Sequence, residues 1–184
     1  MPLTDPEMAA LLAPAGLLLI ERVRQEVRKP SLPPGRYPAS AATEHGRFDS
    51  LPNEIPDVND PGMPAKVNAS WFRMATEHGL FNEDREFFLQ VNYSAEGDPE
   101  DWNEHQAWVR VRLLENWDLA GSEVEQLRSW MAGLHAERFV PEFTMVSLDG
   151  LALIQTTVWG NGTVSTIAIR PTAMSQPQLP ERQS

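Results

Sequence analysis

The chain has 184 residues, 41% of them apolar, with 16 prolines, no cysteine and a formal net charge of −11. That length suffices for one ordinary domain with a sizeable core, and the missing cysteine excludes a disulfide framework, a thiolate zinc centre, an iron–sulfur cluster and a cysteine nucleophile. The negative charge argues against nucleic acid as a partner, because neutralising phosphates takes a face rich in lysine and arginine.

In chain order, Thr4-Asp5-Pro6-Glu7 is a capping box with proline in the first turn, and Met8, Leu11 and Leu12 then make one apolar face. Pro14 breaks or kinks that helix. The apolar run from Met8 to Ile20 is too short to span a bilayer, and Asp5 and Glu7 stand where a signal peptide carries basic residues. No membrane span or leader is expected, and a cytoplasmic location follows. Leu17 to Val27 fits both helical spacing and a loose alternation; helix is the preferred reading.

Half of the prolines fall between Pro30 and Pro64. Residues 30–64 therefore read as an extended arm, with one short helical turn at Ala39–His45, lying along a surface of this chain or of a partner. Residues 1–29 form an N-terminal helical segment before it, residues 65–170 the core domain, and 171–184 a flexible tail. Pro64 opens a helix through His78 with Val67, Trp71 and Met74 on one side; Gly79 ends it and Leu80 packs back. Phe87–Tyr93 and Ala107–Leu113 read as antiparallel neighbours, joined by a long acidic connection containing His105. Ser122-Glu123-Val124-Glu125 is a second capping box, and Val124, Leu127, Trp130, Met131 and Leu134 follow at helical spacing, so a helix is expected to about Arg138. Phe143–Leu148 reads as a strand turning at Asp149-Gly150. Leu151–Trp159 and Thr163–Ile169 form a hairpin with Asn161-Gly162 as its two loop residues, which would place Ile154, Val158, Ile167 and Ile169 on one face. The expected fold is α+β: an antiparallel sheet of four to five strands with helices on one face, preceded by the N-terminal helix and the proline-rich arm.

One pattern suggests chemistry. Ala42-Thr43-Glu44-His45-Gly46-Arg47-Phe48 recurs as Ala75-Thr76-Glu77-His78-Gly79-Leu80-Phe81. Glu44, His45, Glu77 and His78 are the ligand types of a divalent-metal site. The same letters also make a good helix end, with glycine at the left-handed position and histidine in the last turn. Arg47 replaces the capping hydrophobe in the first copy, so capping explains that copy less well. No Gly-x-Ser-x-Gly elbow and no phosphate-binding glycine loop occur. Of the six tryptophans, Trp102, Trp117 and Trp159 sit near loops or element ends, where such side chains anchor interfaces. The expected function is non-enzymatic binding of another protein subunit or of a second copy. In that reading the chain is a small subunit of an assembly, or an inhibitor or chaperone of a basic partner, and it associates through the arm, Arg47 and these tryptophans. No cofactor is expected. The alternative is a metal-dependent enzyme or small-ligand-binding protein built on the two Glu-His pairs.

Overall fold

The computed structural model describes residues 2–30, 48–49, 55–94, 104–129, 131–134 and 136–169. Helix α1 (Asp5–Leu12) starts at the expected capping box: Glu7 N–H donates to Thr4 Oγ1, and the Thr4 N–H donates to Glu7 Oε2 at 2.7 Å. A short 3₁₀ turn, Ala13–Ala15, follows Leu12, and Gly16 at φ 77° turns the chain into strand β1 (Leu17–Val23). Strand β2 is a two-residue pairing, Phe48–Asp49. Helix α2 (Met63–Glu77) precedes β3 (Glu86–Asn92) and β4 (Gln106–Leu113); β5 (Phe143–Val146), β6 (Leu153–Val158) and β7 (Val164–Ile169) complete the sheet.

All pairings are antiparallel, in the order β1-β4-β3-β5-β6-β7-β2. The α+β class stands, but the sheet has seven strands rather than four or five. Two corrections account for the difference. Leu17–Val23 is a strand, not a helix: Leu17 pairs with Leu113 and Leu19 with Val111, so the alternation wins once a partner edge is present. The other addition is β2, inside the proline-rich segment.

Expectations for α2 hold. Gly79 takes φ 75°, and the Leu80 N–H closes back on the Ala75 carbonyl at 2.9 Å, leaving Leu80 1% exposed. Alternation along β3 and β4 sends Phe87, Leu89, Val91, Val109 and Val111 to one face. There they meet Met8 and Leu12 of α1, Trp71 and Met74 of α2, and Met145 and Ile154 in a single core cluster. The N-terminal segment thus belongs to the same core as residues beyond the arm. Trp71 is 0% exposed and donates its indole N–H to Met145 Sδ at 3.2 Å. The opposite face carries Glu86, Phe88, Gln90 and Asn92 from β3 and Trp108, Arg110 and Arg112 from β4. Val27 closes one end of that face against Val146, Leu153 and Ile169.

Two further expectations fail. The helix expected over Ser122–Arg138 is absent; two 3₁₀ turns, Glu125–Leu127 and Met131–Leu134, take its place. Glu123 adopts φ 54°, Ser122 Oγ turns to the Leu119 carbonyl, and Arg128 is extended. The chain then doubles back, with Ser129 N–H donating to Val140 O at 2.7 Å and Glu142 N–H to Leu127 O at 2.8 Å. Val124 and Leu127 are still buried, since a three-residue turn lands both on the core as well as a helix would.

The β6–β7 hairpin is off by one residue from expectation. Val158 pairs with Val164, so Gly160-Asn161-Gly162 is a three-residue loop with Gly162 at φ 79°. That slip exchanges the faces of β7. Ile154, Thr156, Val158, Val164, Thr166 and Ala168 now share one face, and the Thr156 and Thr166 hydroxyls bond each other at 2.8 Å.

Of the arm, residues 31–47 and 50–54 lie outside the described residues, as do the turn expected at Ala39–His45 and the tail. The described parts follow the β7 side of the sheet. Phe48 pairs with Ile169, Asp57 bridges to Thr163, and Val164 N–H donates to Pro56 O at 3.0 Å.

Two glycines with nearly the same φ separate backbone strain from collision. A Cβ on Gly79 meets nothing within 4 Å, whereas on Gly16 it falls 2.4 Å from Asn116 O. Gly79→Ala should cost about 1–2 kcal/mol from the left-handed backbone alone. Gly16→Ala should cost roughly 3 kcal/mol or more, because overpacking adds to the same strain. Urea denaturation of the two variants checks the order.

Candidate functional site

The two edges of the sheet are treated differently. β7 is covered by β2 and by residues 56–58, whereas among the described residues no strand pairs with the outer side of β1. Leu18 is 44% exposed and Ile20 40% exposed. A bulge between Leu19 and Glu21 sets Ile20 apart as the extra residue, so two large aliphatic side chains stand in water along one outer strand. A bare apolar edge is a template for another strand, and proteins usually blunt it.

β1 is tied to the elements behind it. The Tyr93 hydroxyl donates to Asp5 Oδ1 at 2.9 Å, joining the end of β3 to the start of α1. The Arg22 guanidinium sits 4.0 Å from the Tyr93 ring centroid. Burial, then the bond to Asp5, pushes the Tyr93 hydroxyl pKa well up, so it remains a donor across the ordinary pH range.

On the opposite face an ion cluster lies beside Leu18. Glu86, with its side chain 4% exposed, accepts from Arg112 Nη2 at 2.7 Å and from Arg110 Nε at 2.8 Å, and Arg110 Nη2 bonds it as well. Arg110 also reaches Glu21 of β1 at 3.7 Å. Leu18 stands opposite Arg112, and Glu21 opposite Arg110. The hydrogen bonds from Arg112, then those from Arg110, hold the Glu86 carboxyl below its usual 4.5. The immediate surroundings of β1 are arginine-rich even though the whole chain is acidic.

The structure describes only some of the residues singled out in the sequence. Glu44, His45, Arg47 and Trp102 lie outside the described residues. Glu77 is half exposed and bonds Arg73 at 3.2 Å. His78 caps α2, its N–H donating to Met74 O at 3.0 Å. Among the described residues no group of three or more His, Asp or Glu side chains converges as metal ligands would. Trp117 belongs to the core, stacked on Phe72 at 5.1 Å between centroids and edge-on to Trp71 at 5.4 Å. Trp159 donates its indole N–H to Ser165 Oγ at 2.7 Å, on the β6–β7 side of the sheet. Neither lines β1. The edge was hidden because β1 read as a helix; the arginines of β4 were visible as an apolar/charged alternation, but their partner Glu86 was not. No helix among the described residues is long and apolar enough to cross a membrane.

Compared with protein-family models, curated proteins and solved structures, the chain matches none of them.

The Glu86 cluster makes a pH prediction. Because the folded pKa is depressed, the stabilisation is present above the usual glutamate value and is lost as pH falls through the lower folded value. Glu86→Gln should lower stability near neutrality and flatten the acid side of the stability–pH curve. Thermal melts of both proteins at a series of pH values from neutral downward would show it; parallel curves would refute the assignment.

Proposed function

We propose that this protein works by binding another protein, adding an extended segment of that partner as a further strand along β1. The observation that carries the reading is the unequal treatment of the sheet's edges: the β7 side is covered by the chain's own proline-rich segment, while β1 presents Leu18 and Ile20 to solvent. Main-chain hydrogen bonds from β1 would supply affinity, and the alternate side chains of the incoming strand would supply specificity. Leu114, 41% exposed and joined to the β1 side through its N–H bond to Gly16 O, extends the apolar surface. Tyr93, Asp5 and Arg22 tie the strand to the core, which lowers the ordering cost of association.

The role is non-enzymatic, that of a small subunit or chaperone. The basic partner expected from the overall charge fits the approach, since a net charge of −11 steers a cationic protein at long range.

A photo-crosslinking residue at position 18 or 20, introduced in cells that make the protein, should yield one defined protein adduct, while the same residue at the exposed Glu83 should not. Leu18→Lys with Ile20→Lys should suppress association while changing folding stability by less than about 1 kcal/mol, since both side chains are exposed. Equal labelling from positions 18 and 83, or association untouched by the lysines, would remove the proposal.

A further inference from the structure

β3 and β5 pair only at Phe88 with Val146 and at Leu89 with Met145. Continuing that register would set Gln90 opposite Thr144 and Asn92 opposite Glu142. Instead the strands part, and the segment from Val124 to Ser129 enters the gap. Asn92 N–H donates to Gln126 Oε1 at 2.9 Å, and the β-bridge between Arg128 and Pro141 holds the far side. The fork encloses a cavity of 210 Å³. That is below the range of drug-sized pockets and suits a molecule of monosaccharide size.

Its lining is unusual in chemistry. Gln90, Asn92, Gln106, Gln126 and Gln155 bring five carboxamides to one small space. A carboxamide has a donor and an acceptor side by side, matching a hydroxyl, which is also both; Gln126 and Asn92 already use their oxygens on main-chain N–H groups, which leaves Gln90, Gln106 and Gln155. Two charged residues also border the cavity, and both are already engaged. Arg128 Nε donates to Glu125 at 2.9 Å, and Glu142 Oε2 accepts from Ser129 Oγ at 2.6 Å. Their charges oppose each other, so the cavity selects no net charge.

Asn92 stands at the cavity with its amide held in place. The residue is 6% exposed, and its Oδ1 accepts the Ser94 N–H at 2.8 Å, which fixes the orientation of the amide. Its Nδ2 has no hydrogen-bond partner and almost no solvent-accessible surface.

We propose that the β3–β5 fork is a binding site for a small, neutral, hydroxyl-rich molecule of the monosaccharide or polyol class, with the carboxamides of Gln90, Gln106 and Gln155 bonding its hydroxyls. The site is independent of the β1 edge and does not rest on that reading.

The test is an NMR titration of the side-chain amide resonances with glucose, ribose and glycerol as probes and glycine as the zwitterionic control. At least one hydroxylated probe should shift the Asn92 and Gln155 amides saturably with a Kd at or below ~10 mM. Asn92→Leu should abolish the shift of Gln155, and Gln155→Ala should weaken binding about tenfold. Gln155 is partly exposed, so its variant keeps the test valid if Asn92→Leu fails to fold. Absence of saturation with every hydroxylated probe, which would mean a cavity filled by water only, overturns the proposal. So does saturation by glycine alone, or binding that survives the Gln155 substitution unchanged.

Discussion

The Trp71 indole is the point from which the layers of this protein are held. It projects from α2 with no exposed surface, meets Phe81, Trp117 and Phe143 edge-on within 6.0 Å between centroids, and bonds the Met145 sulfur. Those contacts reach the α2 exit, the loop after β4, and β5 together. Aromatic edge-to-face pairs add directional preference to a large apolar burial, so the ring sets the angle of α2 over the sheet as well as its distance. With the helix there, the alternating residues of β3 and β4 have one buried side, and the opposite side is left for other uses.

Both proposed binding features arise on what the core leaves unfinished. At one end, β1 is anchored by Leu17 and by the Tyr93–Asp5–Arg22 contacts, and among the described residues no strand pairs with its outer side. In the middle, β5 must reach Trp71 through Phe143 and Met145 while residues 124–129 also bury Val124 and Leu127. Both demands cannot be met by a continuous ladder, so β3 and β5 pair for two residues and then part. The polar groups bared there need other partners; Gln126 serves the Asn92 main chain, and the Asn92 side chain is left over. Edge and fork are thus consequences of packing rather than additions to it.

Legibility followed the range of the interactions. The capping box at Thr4–Glu7 and the glycine cap at Gly79 involve neighbours in sequence, and both formed as read. The Glu-His pair at Glu77-His78 stands at the end of α2, with Glu77 bonded to Arg73 one turn before it. By contrast, Ser122–Glu125 has the letters of a capping box, and Val124 to Leu134 has helical spacing, yet Ser129 and Glu142 bond across the doubled-back chain instead. Helix propensity over that span is a weak preference that a few long-range hydrogen bonds override. The Asn161-Gly162 signal located the hairpin correctly, but the left-handed glycine at 162 closes a three-residue loop, which no local rule distinguished from a two-residue one.

The chain by itself determined the α+β class, the positions of α1, α2 and of five of the strands, and the two helix ends that glycine and threonine mark. These rest on periodicity and on contacts a few residues apart, which a string of letters contains. The tertiary structure alone decided that Leu17–Val23 is an outer strand of the sheet among the described residues, that 122–138 is not a helix, that β7 shows the face it does, and that four glutamines and an asparagine meet in a fork. Each of those depends on which distant segment arrives alongside, and the free energy of that meeting is a property of surfaces that exist only once the sheet has formed.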